Sequence, residues 1–131
     1  MIAAMKIALI QYNPVIGDFA GNIAHIATWL EKAKAAGCEL AILPELAISG
    51  YPPQDLLERP AFLDDQDRAF ARLMATTHGI GVICGLATRN PGPMGKPLHN
   101  SGVLFADGEV LFTTHKQLLP TYDVFDEARY F

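Results

Sequence analysis

Two charged side chains follow directly after segments that predict β-strands, and together they could carry out acid–base chemistry. Glu45 comes after the predicted strand 39–43, and Lys116 comes after the predicted strand 109–115. Because open α/β sheets bind ligands beyond the carboxyl ends of their strands, both side chains are expected at such an edge. A carboxylate can act there as a general base, and an ammonium can stabilise an oxyanion. An ordinary ion pair at the rim of the sheet is the alternative interpretation.

Further groups that could take part in chemistry are few. A third acidic group lies shortly after Lys116 and contains Asp123, Asp126 and Glu127. The four histidines are scattered without paired spacing, so we expect no metal site. The two cysteines, Cys38 and Cys84, form neither a disulfide framework nor a metal motif, which favours a reducing, cytoplasmic compartment.

The elements that must position Glu45 and Lys116 alternate between strand and helix patterns. Apolar runs predict strands, and a 3–4 spacing of apolar residues predicts amphipathic helices. The predicted strands are 6–12, 39–43, 80–88, 101–106 and 109–115, and the predicted helices are 22–36 and 61–78. A strand, a helix and a strand within about 40 residues favour a parallel pair with a right-handed crossover. Asp107-Gly108 is a strong hairpin signal between the last two strands.

Length and composition exclude several classes of protein. The chain has 131 residues, of which 50% are hydrophobic, so it fits one compact domain with a real core. Its net charge of −4 argues against a dedicated nucleic-acid binder and against a polybasic membrane anchor. No apolar run approaches the roughly 20 residues that span a bilayer, and the N-terminus lacks the apolar stretch of a signal peptide. We therefore expect neither nucleic acid nor a membrane as a partner.

Three segments resemble one known family. The segment 43–57, LPELAISGYPPQDLL, is similar to the signature around the first catalytic glutamate of the nitrilase superfamily of carbon–nitrogen hydrolases. The segment 115–131, HKQLLPTYDVFDEARYF, resembles the lysine segment of that family, and 6–22, KIALIQYNPVIGDFAGN, resembles its opening strand and loop. Within the superfamily, the continuation from 50 to 57 most resembles the glutaminase domains of glutamine-dependent NAD⁺ synthetases.

The resemblance implies roles for five residues. The family uses a Glu-Lys-Cys triad, in which Glu45 matches the general base and Lys116 matches the residue that steadies the oxyanion. Glu127 matches an additional glutamate that orients the site. Tyr51 and Tyr122 match tyrosines near the glutamine pocket. The chemistry is consistent with these roles, because a thiol needs a neighbouring base near neutral pH and an oxyanion needs a fixed positive group.

The resemblance also implies a fold and a domain organisation. The fold is an α/β fold, part of a nitrilase-like α-β-β-α sandwich that has a mixed sheet with helices on one face. Residues 1–131 would form an incomplete N-terminal carbon–nitrogen hydrolase domain. The catalytic-cysteine segment and the synthetase domain would be absent, because the family nucleophile follows the lysine segment and neither Cys38 nor Cys84 matches it. The last two strands lack a following helix, so we independently expect the first part of a larger domain.

The implied function is glutamine hydrolysis that supplies ammonia for ATP-dependent amidation of nicotinic acid adenine dinucleotide to NAD⁺. Its partners would be glutamine, the synthetase domain of the longer protein and further copies of that protein. No cofactor is expected in this chain, whereas ATP and Mg²⁺ are expected in the synthetase domain. We expect the chain alone to be inactive, since it lacks the nucleophile. The alternatives are a stand-alone amidase or carbamoyl hydrolase of the same superfamily, and a non-catalytic α/β assembly module.

Overall fold

The structure is a computed structural model and describes residues 4–131. Five strands and two long helices account for most of the elements. In chain order they are β1 (Ile7–Leu9), α1 (Phe19–Ala35), β2 (Leu40–Ile42), a 3₁₀ helix (Gln54–Glu58), α2 (Pro60–Thr76), β3 (Gly81–Arg89), β4 (Leu98–Ala106), β5 (Glu109–His115) and the short α3 (Glu127–Tyr130). No helix among residues 4–131 is long and apolar enough to cross a membrane.

All five strands form one sheet, whose spatial order β1-β2-β3-β4-β5 follows the sequence. β1, β2 and β3 are parallel to one another, since α1 and α2 return the chain between them. β4 runs antiparallel to β3, and β5 runs antiparallel to β4. The sheet is therefore mixed, as the sequence predicts. The tight turn between β4 and β5 consists of Asp107 and Gly108, which both adopt positive φ values of 48° and 85°, as a two-residue hairpin turn requires.

Both long helices begin and end for local reasons. α1 begins at Phe19, three residues before the predicted start, because the Asp18 side chain caps it by accepting a hydrogen bond from the Gly21 amide. α2 begins with Pro60, whose missing N–H costs nothing in the first turn of a helix. The two helices contact each other and place their apolar stripes on the same side of the sheet.

The sheet has two faces with different surroundings. We call the face under α1 and α2 the helix-covered face, and it holds the main core. Fully buried members of that core include Ile26, Ala41, Leu73, Val82, Cys84 and Phe105. The opposite face is the open face, across which the strand register aligns one row of apolar side chains. That row consists of Leu9, Ile42, Ile83, Leu104 and Phe112.

Candidate active site

The loop that carries Glu45 lies directly against the backbone of β3. Gly85 of β3 makes this possible, because a Cβ atom there would stand 2.6 Å from the Leu46 amide nitrogen and 2.8 Å from the Glu45 Cα. The Ala47 amide donates a 3.0 Å hydrogen bond to the Gly85 carbonyl. Leu46 itself has a φ of 45°, in the left-handed region that a leucine rarely adopts. Glu45 is thus held by a strained turn that packs on a glycine.

The rest of this loop is fixed by hydrogen bonds to its carbonyl groups. The buried amide of Asn22 donates to the Ile48 carbonyl at 2.8 Å, and the Tyr12 hydroxyl donates to the Ala47 carbonyl. The Gly17 amide donates to the Ser49 carbonyl at 3.0 Å. Because buried backbone carbonyls need partners, these contacts fix the loop and with it the position of Glu45.

Glu45 and Lys116 meet at one end of the sheet, together with Glu127. The Lys116 Nζ lies 2.9 Å from Glu45 Oε1 and 3.0 Å from Glu127 Oε2. The Glu127 side chain is only 5% exposed, whereas the side chains of Lys116 and Glu45 are 33% and 43% exposed. Burial alone would lower the pKa of Lys116, but the hydrogen bonds to both carboxylates outweigh it and raise that pKa. Lys116 therefore stays an ammonium between two carboxylates.

Tyr51 is a second hydrogen-bond donor to Glu127. Its hydroxyl donates a 2.7 Å hydrogen bond to Glu127 Oε1. Burial and the neighbouring carboxylate raise the Tyr51 pKa far above its usual range, so the phenol remains a donor. A buried carboxylate needs such partners, because leaving it unpaired would be costly. The resemblance implies that Tyr51 lies near a glutamine pocket, which stays a prediction, and the structure adds this contact with Glu127.

The short helix α3, which carries Glu127, is anchored to the 3₁₀ helix. The Tyr130 hydroxyl donates to Asp55 Oδ1 at 2.6 Å, and an Arg129 guanidinium nitrogen lies 3.3 Å from the same oxygen. Tyr130 is buried in a second apolar cluster that also contains Leu46, Leu57, Leu63, Ala87 and Leu98. This cluster joins the Glu45 loop to the Glu127 segment, so both carboxylates rest on one packed unit.

A groove of about 320 Å³ extends from the charged cluster onto the open face. Its walls include Glu45, Asn100 and Lys116, and Gly85 and Gly102 line its floor. These two glycines are cross-strand partners with different roles. A Cβ atom at Gly102 would meet only Thr114 Cγ2 at 3.7 Å, so Gly102 leaves the groove open, whereas Gly85 admits the backbone of the Glu45 loop. A small molecule could lie there beside a carboxylate and a fixed ammonium.

Asn100 is a site residue that the sequence reasoning missed. Its side-chain amide donates to Glu45 Oε1 at 2.5 Å, and its side chain is buried. The prediction began the fourth strand at Ser101, whereas β4 begins at Leu98 and so places Asn100 within the strand. In the sequence, Asn100 is a polar residue one position before a predicted strand. Sequence alone does not distinguish such a residue from an ordinary polar residue of a loop.

Other predicted site residues lie apart from the charged cluster. Tyr122 is 70% exposed and borders a shallow groove formed by residues 116–120, with its ring 5.6 Å from that of Phe125. Its role in glutamine binding stays a prediction. Cys84 faces the helix-covered core, where burial raises the pKa of its thiol far above the usual range. Cys38 follows α1 and borders a groove at the β1 edge, with no contact to Glu45 or Lys116 among residues 4–131.

Metal ligands are not assembled at this site. Among residues 4–131, no group of three or more His, Cys, Asp or Glu side chains is placed to hold a metal ion. The rings of His99 and His115 are tilted by 37° with centroids 4.1 Å apart, and His115 Nδ1 lies 2.7 Å from the Ser101 hydroxyl. These histidines therefore form a packed pair on β4 and β5.

Comparisons with known proteins agree on one family. Residues 6–131 match the carbon–nitrogen hydrolase family model. A glutamine-dependent NAD⁺ synthetase from Synechocystis is 43% identical over 131 residues, which cover 95% of this chain and 23% of that protein. The structure of a glutamine-dependent NAD⁺ synthetase from Acinetobacter baumannii superposes with a TM-score of 0.88 at 37% identity, covering 97% of this chain and 23% of that one. An amidase of the nitrilase superfamily from Nesterenkonia gives a TM-score of 0.76 at 25% identity, covering 97% and 47%. The chain therefore spans less than a quarter of the length of the synthetases that it matches.

Proposed function

Because the chain belongs to the carbon–nitrogen hydrolase family, we propose that it forms part of the glutamine-hydrolysing site of a glutamine-dependent NAD⁺ synthetase. The observation that carries this proposal is the contact of Lys116 Nζ with Glu45 at 2.9 Å and with Glu127 at 3.0 Å, beside an open groove. The similarity to named synthetases supports the choice of glutamine as the amide and of NAD⁺ synthesis as the use of its ammonia.

In this proposal a thiolate attacks the side-chain carbonyl carbon of glutamine. Glu45 takes the thiol proton and passes it to the leaving nitrogen, so that ammonia departs and a glutamyl thioester remains. Water then hydrolyses the thioester to glutamate and restores the thiol. The Lys116 ammonium stabilises the negative oxygen of each tetrahedral intermediate, and Glu127 with Tyr51 holds that ammonium in place.

The nucleophile has to come from outside the two cysteines of this chain. Cys84 is fully buried in the helix-covered core, and Cys38 lies at the other end of β2 from Glu45. The resemblance assigns ATP and Mg²⁺, which the synthetase reaction needs, to the synthetase domain of the longer protein, and no step proposed for this site depends on them.

The test measures ammonia release from glutamine and NAD⁺ formation by the full-length gene product. Glu45→Ala and Lys116→Ala should each lower glutamine-dependent activity by about 10²- to 10³-fold or more. NAD⁺ synthesis fed with free ammonia should survive both changes, because it uses a separate site. Glu31→Ala and Lys34→Ala are matched controls, since these residues form an exposed ion pair of 2.7 Å on α1, and both should retain full activity.

Two outcomes would contradict the proposal in different ways. Full glutamine-dependent activity in Glu45→Ala would show that Glu45 is not the base. A full-length gene product that hydrolyses simple aliphatic amides but cannot make NAD⁺ from free ammonia would favour a stand-alone amidase. The similarity to the Nesterenkonia enzyme supports that alternative.

A further inference from the structure

Asn100 contacts both members of the Glu45–Lys116 pair, through two different groups. Its side-chain Nδ2 donates to Glu45 Oε1 at 2.5 Å, and its main-chain carbonyl accepts a 2.8 Å hydrogen bond from the Lys116 amide. The residue is only 4% exposed and lies within β4, so neither group can move freely. An ionised carboxylate only accepts hydrogen bonds, and therefore the amide nitrogen of Asn100 must face Glu45.

The contacts of Glu45 are concentrated on one of its two oxygens. Oε1 accepts from Asn100 Nδ2 and also from Lys116 Nζ at 2.9 Å. A flexible carboxylate held by the ammonium alone could exchange its oxygens by rotation. A second, neutral donor on the same oxygen fixes the carboxylate plane without adding charge to the site.

We propose that Asn100 is a positioning residue for amide hydrolysis, which locks Glu45 Oε1 against Lys116 and thereby reserves Oε2 for the proton that the base accepts. The inference rests on the proposed function in one respect, namely that Glu45 is the base. Asn100 also borders the groove, but in this proposal it neither accepts nor donates the transferred proton. It acts through Glu45, and its main-chain carbonyl also fixes the start of the Lys116 segment.

The test compares two substitutions in the full-length gene product. Asn100→Leu keeps the size of the side chain and removes the donor, so kcat should fall about 10- to 100-fold, the range for one hydrogen bond to a charged group, with KM changed less than about threefold. Asn100→Asp places a second carboxyl group against Glu45. That group can donate only when it is protonated, so activity of Asn100→Asp should rise as the pH is lowered from about 7 to 5, while Asn100→Leu shows no such rise.

Gln66→Leu is the matched control for the loss of a buried amide. Gln66 is 1% exposed and donates to the Ala87 carbonyl at 2.8 Å, but it lies on α2 and has no contact with Glu45. This variant should be less stable and should keep the kcat and the pH profile of the wild type. An Asn100→Leu protein with unchanged kcat would overturn the proposal, and so would an Asn100→Asp protein that shows no recovery at low pH.

The failure of this inference and the failure of the proposed function give different results. If the wild type hydrolyses another amide from a panel of aliphatic amides and ureido acids but not glutamine, the glutamine assignment is wrong, and the same Asn100 comparison is made with that amide. If no amide is hydrolysed, crystal structures of the Asn100→Leu and Gln66→Leu proteins decide. Without the Asn100 donor the Glu45 carboxylate should turn, so that Oε1 leaves its position 2.9 Å from Lys116 Nζ, whereas Gln66→Leu should keep that contact. An unmoved Glu45 carboxylate in Asn100→Leu would overturn the inference.

Discussion

Phe105 and Phe112 lie on neighbouring strands of one sheet, yet their surroundings are opposite. Phe105 is completely buried under α2, where its ring packs edge-on against Phe70 with centroids 5.4 Å apart. Phe112 pairs with Leu104 across the strands and is 62% exposed at the end of the row on the open face. Leu9, at the other end of that row, is 71% exposed. Among residues 4–131, the helices cover one face of the sheet and leave this row uncovered.

The two faces divide stability and chemistry between them. The helix-covered face contains the well-packed core and the buried Cys84, where a polar or reactive group would be costly. The open face carries the groove, since Gly102 leaves space beside Glu45 and Lys116 and Gly85 lets the Glu45 loop approach the strand. The proposed site, which has to admit a substrate, therefore lies on the side of the sheet that the helices leave free.

The largest expected effect is the difference in stability between the Phe105→Ala and Phe112→Ala variants. Phe105→Ala should lower the free energy of unfolding by about 3–5 kcal/mol, because it leaves a cavity in a closely packed core. Phe112→Ala should change it by about 0.5 kcal/mol or less, because an exposed ring loses little on removal. Urea unfolding of the 131-residue chain measures both. Equal losses for the two variants would mean that the open face is as well covered as the other.

The second effect is the change in stability when either of the two glycines that line the groove is replaced by alanine. Gly85→Ala forces a Cβ atom into the backbone of the Glu45 loop, and it should cost about 1–3 kcal/mol through overpacking. Gly102→Ala is the matched control, because its Cβ would meet only Thr114 Cγ2 at 3.7 Å. The control should stay within about 1 kcal/mol of the wild type. A Gly85→Ala protein of wild-type stability would contradict the close approach of loop and strand.

The third effect concerns self-association through the open face. An exposed apolar surface that extends across five strands favours contact between copies, so the 131-residue chain should associate as its concentration rises. The double change Leu9→Lys and Phe112→Lys should weaken this association at least about tenfold, which corresponds to about 1.4 kcal/mol. Sedimentation velocity measures it. Val15→Lys with Met94→Lys is the control, because these exposed residues lie in loops outside the row, and an equal effect of both pairs would contradict a specific role for the open face.

The sequence predicts the element types well because they depend on local patterns. Apolar periodicity indicates α1 and α2, and Asp107-Gly108 indicates the hairpin, since each signal lies within a few residues. The predicted bounds are less accurate. The Asp18 cap extends α1 to Phe19, and pairing with β3 extends β4 back to Leu98, three residues before the predicted start at Ser101.

Contacts between distant residues explain what the sequence leaves undetermined at the site. The motif resemblance identifies Glu45, Lys116 and Glu127, and their proximity agrees with the edge expected for an α/β sheet. The Tyr51 contact with Glu127 joins residues 76 positions apart, and the Asn100 contact with Glu45 joins residues 55 positions apart. Both depend on how β4 and the last segment pack on the Glu45 loop, which no local pattern encodes.

The smallest expected effect on stability concerns the hydrogen bond between Tyr130 and Asp55, which anchors the segment that carries Glu127. The hydrogen bond to Asp55, with burial adding to it, raises the Tyr130 pKa from 10.0 to about 12. Between pH 10 and 12 the folded chain keeps this proton while the unfolded chain loses it, so the contribution of Tyr130 is complete below pH 10 and declines as the pH rises.

Tyr130→Phe removes the hydroxyl and should lower the free energy of unfolding by about 0.5–1 kcal/mol at pH 7. The difference between wild type and variant should shrink as the pH rises from 10 to 12, because only the wild type loses this interaction on titration. Tyr12 and Tyr51 have raised pKa values as well, but they are present in both proteins and cancel in the difference. Urea unfolding at pH 7, 10 and 11.5 measures it, and a difference that stays constant over this range would show that the Tyr130 hydroxyl does not hold the segment.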